Sequence, residues 1–183
     1  MTQLIMNKNS FENKSLAQII LIAYILNLFF GWSGFYFKHF SNWQVLFYQI
    51  GSAVAISASV MAARYTGLRG QHVAASAYIL LGITHGISLA ALSRAGINAD
   101  RGVTMVMPMI PALIFMFWCN LFPMWLRVLG LIPCLLFAMV FIKFQSGESY
   151  FGWALYAGYA TLQAIELLWG VYIYKDWSQS EVQ

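Results

Sequence analysis

Charge is what this sequence has least of. Only 9% of its 183 residues are Asp, Glu, Lys or Arg, against roughly 25% in a soluble globular protein. A water-soluble body could not cover its surface with so few, so soluble enzymes and binding domains are set aside first. Runs of basic residues are also missing: ten Lys and Arg stand singly along the chain. The net charge of +4 therefore reads as topology signals and headgroup contacts, and no nucleic-acid partner is expected. Cysteine is nearly absent. Cys119 and Cys134 lie in or at the edge of apolar runs with no Cys-x-x-Cys, which argues against thiol exchange and a zinc site and leaves two small packing residues.

Further absences narrow the chemistry. There is no His-x-x-x-His pair and no Gly-rich phosphate loop, so neither a helix-borne metal site nor a nucleotide loop is expected. No Lys lies in the middle of an apolar run, Lys143 being at a run's end, and a retinal linkage needs one there. A haem between facing helices needs two deep histidines. His39 falls in a connection and His72 at a run's edge, which leaves His85 alone. No cofactor and no metal is expected.

Apolar side chains are abundant instead: 61% of the chain is hydrophobic, with 7 Trp, 10 Tyr and 14 Phe, and the mean hydropathy is +0.68. The expected fold is an all-α, polytopic integral membrane bundle of about six transmembrane helices in a single domain over residues 1–183. The runs fall at about 16–32, 44–63, 73–92, 104–122, 126–144 and 150–174. Lys8 and Lys14 before the first run resemble a signal peptide. Bulky Trp32, Phe35, Tyr36 and Phe37 follow it without a small-x-small cleavage site, so it is read as an uncleaved span preceded by a polar stretch in water.

Polar and small residues recur at helical spacing in four of the six runs. In the first, Tyr24, Asn27 and Gly31 share a face. In the second, Gly51, Ala55, Ser59 and Ala63 recur every four positions, with Gln49 and Ser52 near that side. The third carries Gly82-x-x-x-Gly86, and a face of Tyr78, Gly82, His85 and Ser88. Such small-residue stripes let helices approach closely, so Gly51, Ala55, Ser59, Gly82 and Gly86 are expected to pack helices together. The sixth carries Tyr156, Tyr159, Gln163, Glu166 and Gly170 as one stripe. The fourth and fifth runs have almost no polar groups. Pro108 and Pro111 should bend the fourth and Pro133 the fifth, and the short turn Asn120–Pro123 should make the two a helical hairpin. The expected arrangement puts runs one, two, three and six around a polar interior, with four and five more exposed to lipid.

Glu166 is the one acid well inside an apolar run. An ionised side chain at mid-membrane costs about 2.5–3.5 kcal/mol on insertion scales, which makes it a site candidate. His85 is its candidate partner, with Asn27, Gln49, Tyr159 and Gln163 as neutral donors and acceptors around a proton or small-solute site. The competing reading is a buried polar clamp, with Glu166 uncharged, that only fixes helix packing. A Glu166–His85 separation beyond about 8 Å, too far for one bridging water, would end the pairing.

These residues support a small-solute channel, carrier or membrane-embedded solute-binding subunit, with the lipid bilayer and a small polar solute as partners. The alternative is a non-catalytic accessory protein whose small-residue faces bind another membrane protein or a second copy. A membrane enzyme is the weakest option, with one acid and one His to offer. In size and span count the chain resembles the solute-binding subunits of energy-coupling-factor transporters and the six-span amide and urea channels. That likeness is architectural: Ala17 and Ala23 do not have the Ala-x-x-x-Ala spacing of the former, and no family is assigned from it. With six spans, Lys8, Lys14, Arg64, Arg69, Arg127 and Lys175 fall on the side of the termini, and Lys38, Arg94, Arg101 and Lys143 on the other. The bias places both termini in the cytoplasm of a cell-membrane protein, the inner membrane in a bacterium.

Overall fold

The structure, a computed structural model, describes residues 2–38, 41–91, 104–146 and 152–180, with side chains from Lys14 onward. His39, the connection holding Arg94, Asp100 and Arg101, and most of the turn after Ser146 lie outside the described residues. The chain is 86% helical with no strand among the described residues. Its helices are α1 (Thr2–Gly34), α2 (Asn42–Leu68), α3 (His72–Ala91), α4 (Met109–Met116), α5 (Met124–Leu129), α6 (Leu131–Gln145) and α7 (Trp153–Ser180).

Four stretches are long and apolar enough to cross a membrane: Lys14–Gly34, Asn42–Leu68, His72–Ala91, and Met124–Gln145, which joins α5 and α6. The other two expected runs differ for physical reasons. The fourth becomes a shorter apolar helix, Thr104–Met116. The last is 28 residues long, but its Tyr, Gln and Glu stripe keeps it outside that apolar set. The helices also outrun the apolar stretches. With no Pro or Gly in residues 2–13, nothing stops α1 from winding back to Thr2.

Helix ends follow local chemistry. Ser41 caps α2, its Oγ accepting from the Gln44 N–H at 3.3 Å. The turn into α3 uses Gly70 at φ +73, a left-handed conformation that suits glycine, and the Gln71 N–H closes back on the Thr66 carbonyl at 2.9 Å. Regular helix is interrupted at Met107–Pro108 and at Gly130, each just ahead of a proline, Pro111 and Pro133. A proline has no N–H for the carbonyl four residues back, and its ring crowds that carbonyl.

The elements close into a ring. α1 packs on α2 and α7, α2 on α3, α3 on α4, α4 on α6, and α6 on α7. One end of the ring gathers the Lys14 region of α1, the last turns of α7 and two connecting turns. There the Lys14 ammonium lies 5.7 Å over the Trp177 ring, Arg69 pairs with Asp176 at 2.9 Å, and the Asn120 N–H meets Gln71 Oε1 at 3.0 Å. At the opposite end Gln44 donates to the Gly34 carbonyl at 3.3 Å and Phe35 meets Tyr156. The rods therefore run up and down.

α1 shows how the ring is partitioned. Leu16, Ala17, Ile20, Ala23, Tyr24 and Asn27 are buried, while Ile19, Ile22, Ile25, Leu26 and Phe29 are exposed. A helix apolar on both sides belongs in lipid. Among the described residues the buried polar ones are Asn27, Gln44, Ser59, Thr66, Thr84, His85, Ser88 and Glu166, all on α1, α2, α3 and α7. The greater lipid exposure expected of the fourth run is not found: Met109, Ala112, Leu113 and Met116 of α4 are buried. In the fifth, the most apolar window of Met124–Gln145 is 33% buried, as is that of α2. An apolar side chain serves equally in core and in lipid, so hydropathy alone does not assign a face.

Candidate functional site

α7 is held against α1 by a ladder of matched positions. Tyr156 meets Phe35 with ring centroids 5.9 Å apart. The Gln163 amide covers Gly31, where any side chain would collide with it, and Tyr24 lies on Gly170, where a Cβ would come within 3.0 Å of its ring. Between these rungs the Asn27 amide donates to Glu166 Oε2 at 2.8 Å. Tyr156, Gln163, Glu166 and Gly170 of the polar stripe thus all touch α1 or the turn after it. The most buried face of α7 runs through Leu162, Glu166, Trp169 and Ile173.

α3 reaches the same carboxylate from across the ring. Its approach depends on α2, where Gly82 sits over Ser59 with room for only an ordinary contact: a Cβ at Gly82 would lie 3.5 Å from that of Ser59. One turn on, His85 Nε2 stands 2.9 Å from Glu166 Oε1. Glu166 has no exposed surface and His85 almost none. One carboxylate therefore joins three helices, each oxygen engaged by a different one.

The remaining candidates take other places. Tyr159 is half-buried, its hydroxyl 3.4 Å from Ser88 Oγ and its ring 5.3 Å from that of Phe137. It lies about 10 Å along α7 from Glu166 and forms a separate contact between α7 and α3. Gln163 Oε1 is buried without a partner among the described residues. Gln49 is half-buried on α2. Gly51 packs on α1, a Cβ there lying 3.5 Å from Asn27 Oδ1 and from the Gly31 N, and Ala55 and Ser59 are buried. Gly86 differs: a Cβ there would meet nothing within 4 Å.

Three groups were not singled out as site candidates from the sequence: Tyr24, Tyr78 and Trp169. All are fully buried, and their polar atoms, like Ser59 Oγ, have no hydrogen-bond partner among the described residues. Tyr24 and Tyr78 do share helix faces with Asn27 and His85, and Trp169 is one turn from Glu166, which is the signal that marks them.

The chain matches no family model, no curated protein and no solved structure.

The chemistry open to the site follows from its atoms. With neutral His85 as the Nε2–H tautomer, the imidazole donates to a carboxylate, and Nδ1 is free to take a proton. With one proton added, the pair is either imidazolium with carboxylate or imidazole with carboxylic acid. The 2.9 Å contact serves every one of these states, so the pair can gain or lose a proton without moving a heavy atom. Among the described residues no group of three His, Cys, Asp or Glu is placed to hold a metal ion.

Proposed function

We propose that this chain is a small transport protein of the cell membrane, a channel, carrier or membrane-embedded solute-binding subunit. Its internal site is the Glu166 carboxylate with His85 and Asn27, and it binds a proton and a small polar solute. One observation carries the reading: a fully buried carboxylate is bonded at once from α1 and α3, in a ring whose outer face is apolar. A clamp that only fixed packing would need no titratable group, since amides and hydroxyls bridge helices in lipid at lower cost. Two titratable groups in contact are an expensive clamp and a ready proton site.

The accessory reading has less to stand on. Of the small residues expected to seat a partner, Gly51, Ala55, Ser59 and Gly82 are covered by helices of the same chain, and Gly86 alone is open. By the excess of basic residues on the end that holds Lys14, Arg69 and Lys175, both termini lie in the cytoplasm.

The test is uptake by protein reconstituted into liposomes, using small amides, amines and amino acids as solutes and a trapped pH-sensitive dye. At least one solute should enter wild-type vesicles with a change in internal pH. Glu166→Gln, similar in shape and still able to bond Asn27, should lose that uptake while keeping its thermal melting point within a few degrees. A Glu166→Gln protein that transports normally, or that has merely lost its stability, would leave Glu166 a clamp.

A further inference from the structure

Among the described residues six buried side-chain polar atoms lack partners, on Tyr24, Ser59, Tyr78, Gln163, Trp169 and Trp177, and four of them, those of Tyr24, Ser59, Tyr78 and Trp169, are not scattered. Tyr24 lies on Gly170, next to Trp169. The Trp169 ring meets Tyr78 edge-on with centroids 5.9 Å apart. Tyr78 is one turn from Gly82, which covers Ser59. The Ser59 and Tyr24 hydroxyls face each other closely enough to interact, but neither has a partner at full hydrogen-bond geometry among the described residues. These contacts make a circuit of α1, α2, α3 and α7, with three hydroxyls and one indole N–H around it. Glu166 is beside it, within electrostatic reach of both tyrosine hydroxyls. The titratable groups around Glu166 are His85, Tyr24 and Tyr78, with Cys119 behind Tyr78. α2 contributes the neutral Ser59.

The circuit lies on one side of the carboxylate. Trp169 is about 4.5 Å and Asp176 about 15 Å beyond Glu166 along α7, and Asp176 belongs to the end of the ring where Lys14, Gln71 and Asn120 gather. There its Oδ2 takes the Tyr65 hydroxyl at 2.7 Å and Arg69 at 2.9 Å. On the opposite side Gln163 presents an acceptor without a partner among the described residues, but no free hydroxyl follows it: Thr161 bonds the Ala157 carbonyl of its own helix at 2.7 Å, and Tyr159 and Ser88 are paired with each other. Unsatisfied buried hydroxyls are costly, and a water with two to four such partners removes the cost.

We infer that water held by Tyr24, Ser59, Tyr78 and Trp169 forms a one-sided proton relay between Glu166 and the end of the bundle that holds Lys14 and Asp176. The inference rests on Glu166 being the proton-binding group proposed above. A proton arriving from hydronium at that end is accepted by a water or hydroxyl oxygen, which releases its own proton to the next. The last lands on the Glu166–His85 pair, whose charge becomes more positive by one. Each hydroxyl ends with the one proton it began with, turned to the other side. Trp169 N–H donates but cannot accept, so it anchors a water and takes no part in the transfer.

The experiment follows the infrared stretching band of the protonated Glu166 carboxyl, isolated by subtracting Glu166→Gln spectra, after lipid-reconstituted protein is mixed into D2O. The band should shift to its deuterated position roughly tenfold or more slowly in Tyr24→Phe/Tyr78→Phe than in wild type. The pair Ser88→Ala/Tyr159→Phe should exchange at the wild-type rate. Removing hydroxyls that have no partner should leave folding intact, and Ser59→Ala gives a second, smaller perturbation of the same relay. Wild-type exchange in Tyr24→Phe/Tyr78→Phe, or equal slowing in Ser88→Ala/Tyr159→Phe, overturns the relay and leaves the carboxylate site standing. A carboxyl band that never appears at any pH overturns the site, and the relay with it.

Discussion

At Gly158 a Cβ would sit 2.8 Å from Phe137 Cε1, and Phe137 is a fully buried ring with no room to swing. Gly158→Ala should therefore cost about 1–3 kcal/mol by overpacking. At Gly86 there is open space, so Gly86→Ala should cost nothing and gain up to about 1 kcal/mol from helix propensity. Thermal melting of the two variants in detergent, side by side, reads the difference. Sequence alone points the other way, because Gly86 belongs to a Gly-x-x-x-Gly pattern and Gly158 to none. Spacing shows that two glycines share a face, but only the neighbouring helix decides which of them is covered. Glu166, His85 and Asn27 stand out in the sequence because ionisable and amide groups are rare in these runs, and the fold brings them together. Tyr24, Tyr78 and Trp169 stand out less: with aromatics at 17% of the chain, any run contains some, and only their helical spacing from Asn27, His85 and Glu166 marks them in the sequence.

Among the elements, α7 has the most to hold. It joins α1 through the Asn27 bond and the Gly31 and Gly170 contacts, α3 through His85, and α2 through Asp176 with Tyr65 and Arg69. These ties are unequal. Arg69 and Asp176 are each about a third exposed, and such a pair contributes about 0–1 kcal/mol. For Arg69, burial works against the charge, but Tyr65 and Asp176 outweigh it and hold the guanidinium above its ordinary value. The buried pair leaves an unpaired group behind when either member is removed, at about 1–3 kcal/mol or more. Double-mutant cycles with alanine at Arg69/Asp176 and at His85/Glu166 should thus give the larger coupling for the second. Equal couplings would mean that water reaches the inner pair. The stripe on α7 was legible from its three- and four-residue spacing, but not which helix each member meets. Gln163 covers Gly31 of α1, Tyr159 meets Ser88 of α3, and Glu166 bonds both helices, because a spacing fixes a face without naming its neighbours. The prolines were legible as breaks, since a missing N–H acts locally.

The all-α membrane bundle follows from composition alone, and the alternation of the rods is visible where Lys14, Gln71, Asn120 and Asp176 gather at one end. Of the six expected spans, four are long and apolar enough to cross a membrane among the described residues. The described part of the fourth, Thr104–Met116, is shorter, and the sixth is less apolar because it carries the Tyr, Gln and Glu stripe. The central proposal is that the Glu166 carboxylate, kept out of water by the surrounding helices, exchanges a proton in the folded protein. The most direct measurement is a pH titration of lipid-reconstituted protein by infrared difference spectroscopy, comparing wild type with Glu166→Gln. The account predicts a protonated-carboxyl band that grows as pH falls, reverses as it rises, and is missing from Glu166→Gln. A band that stays constant across every pH at which the protein remains folded, or one that persists in Glu166→Gln, would contradict it.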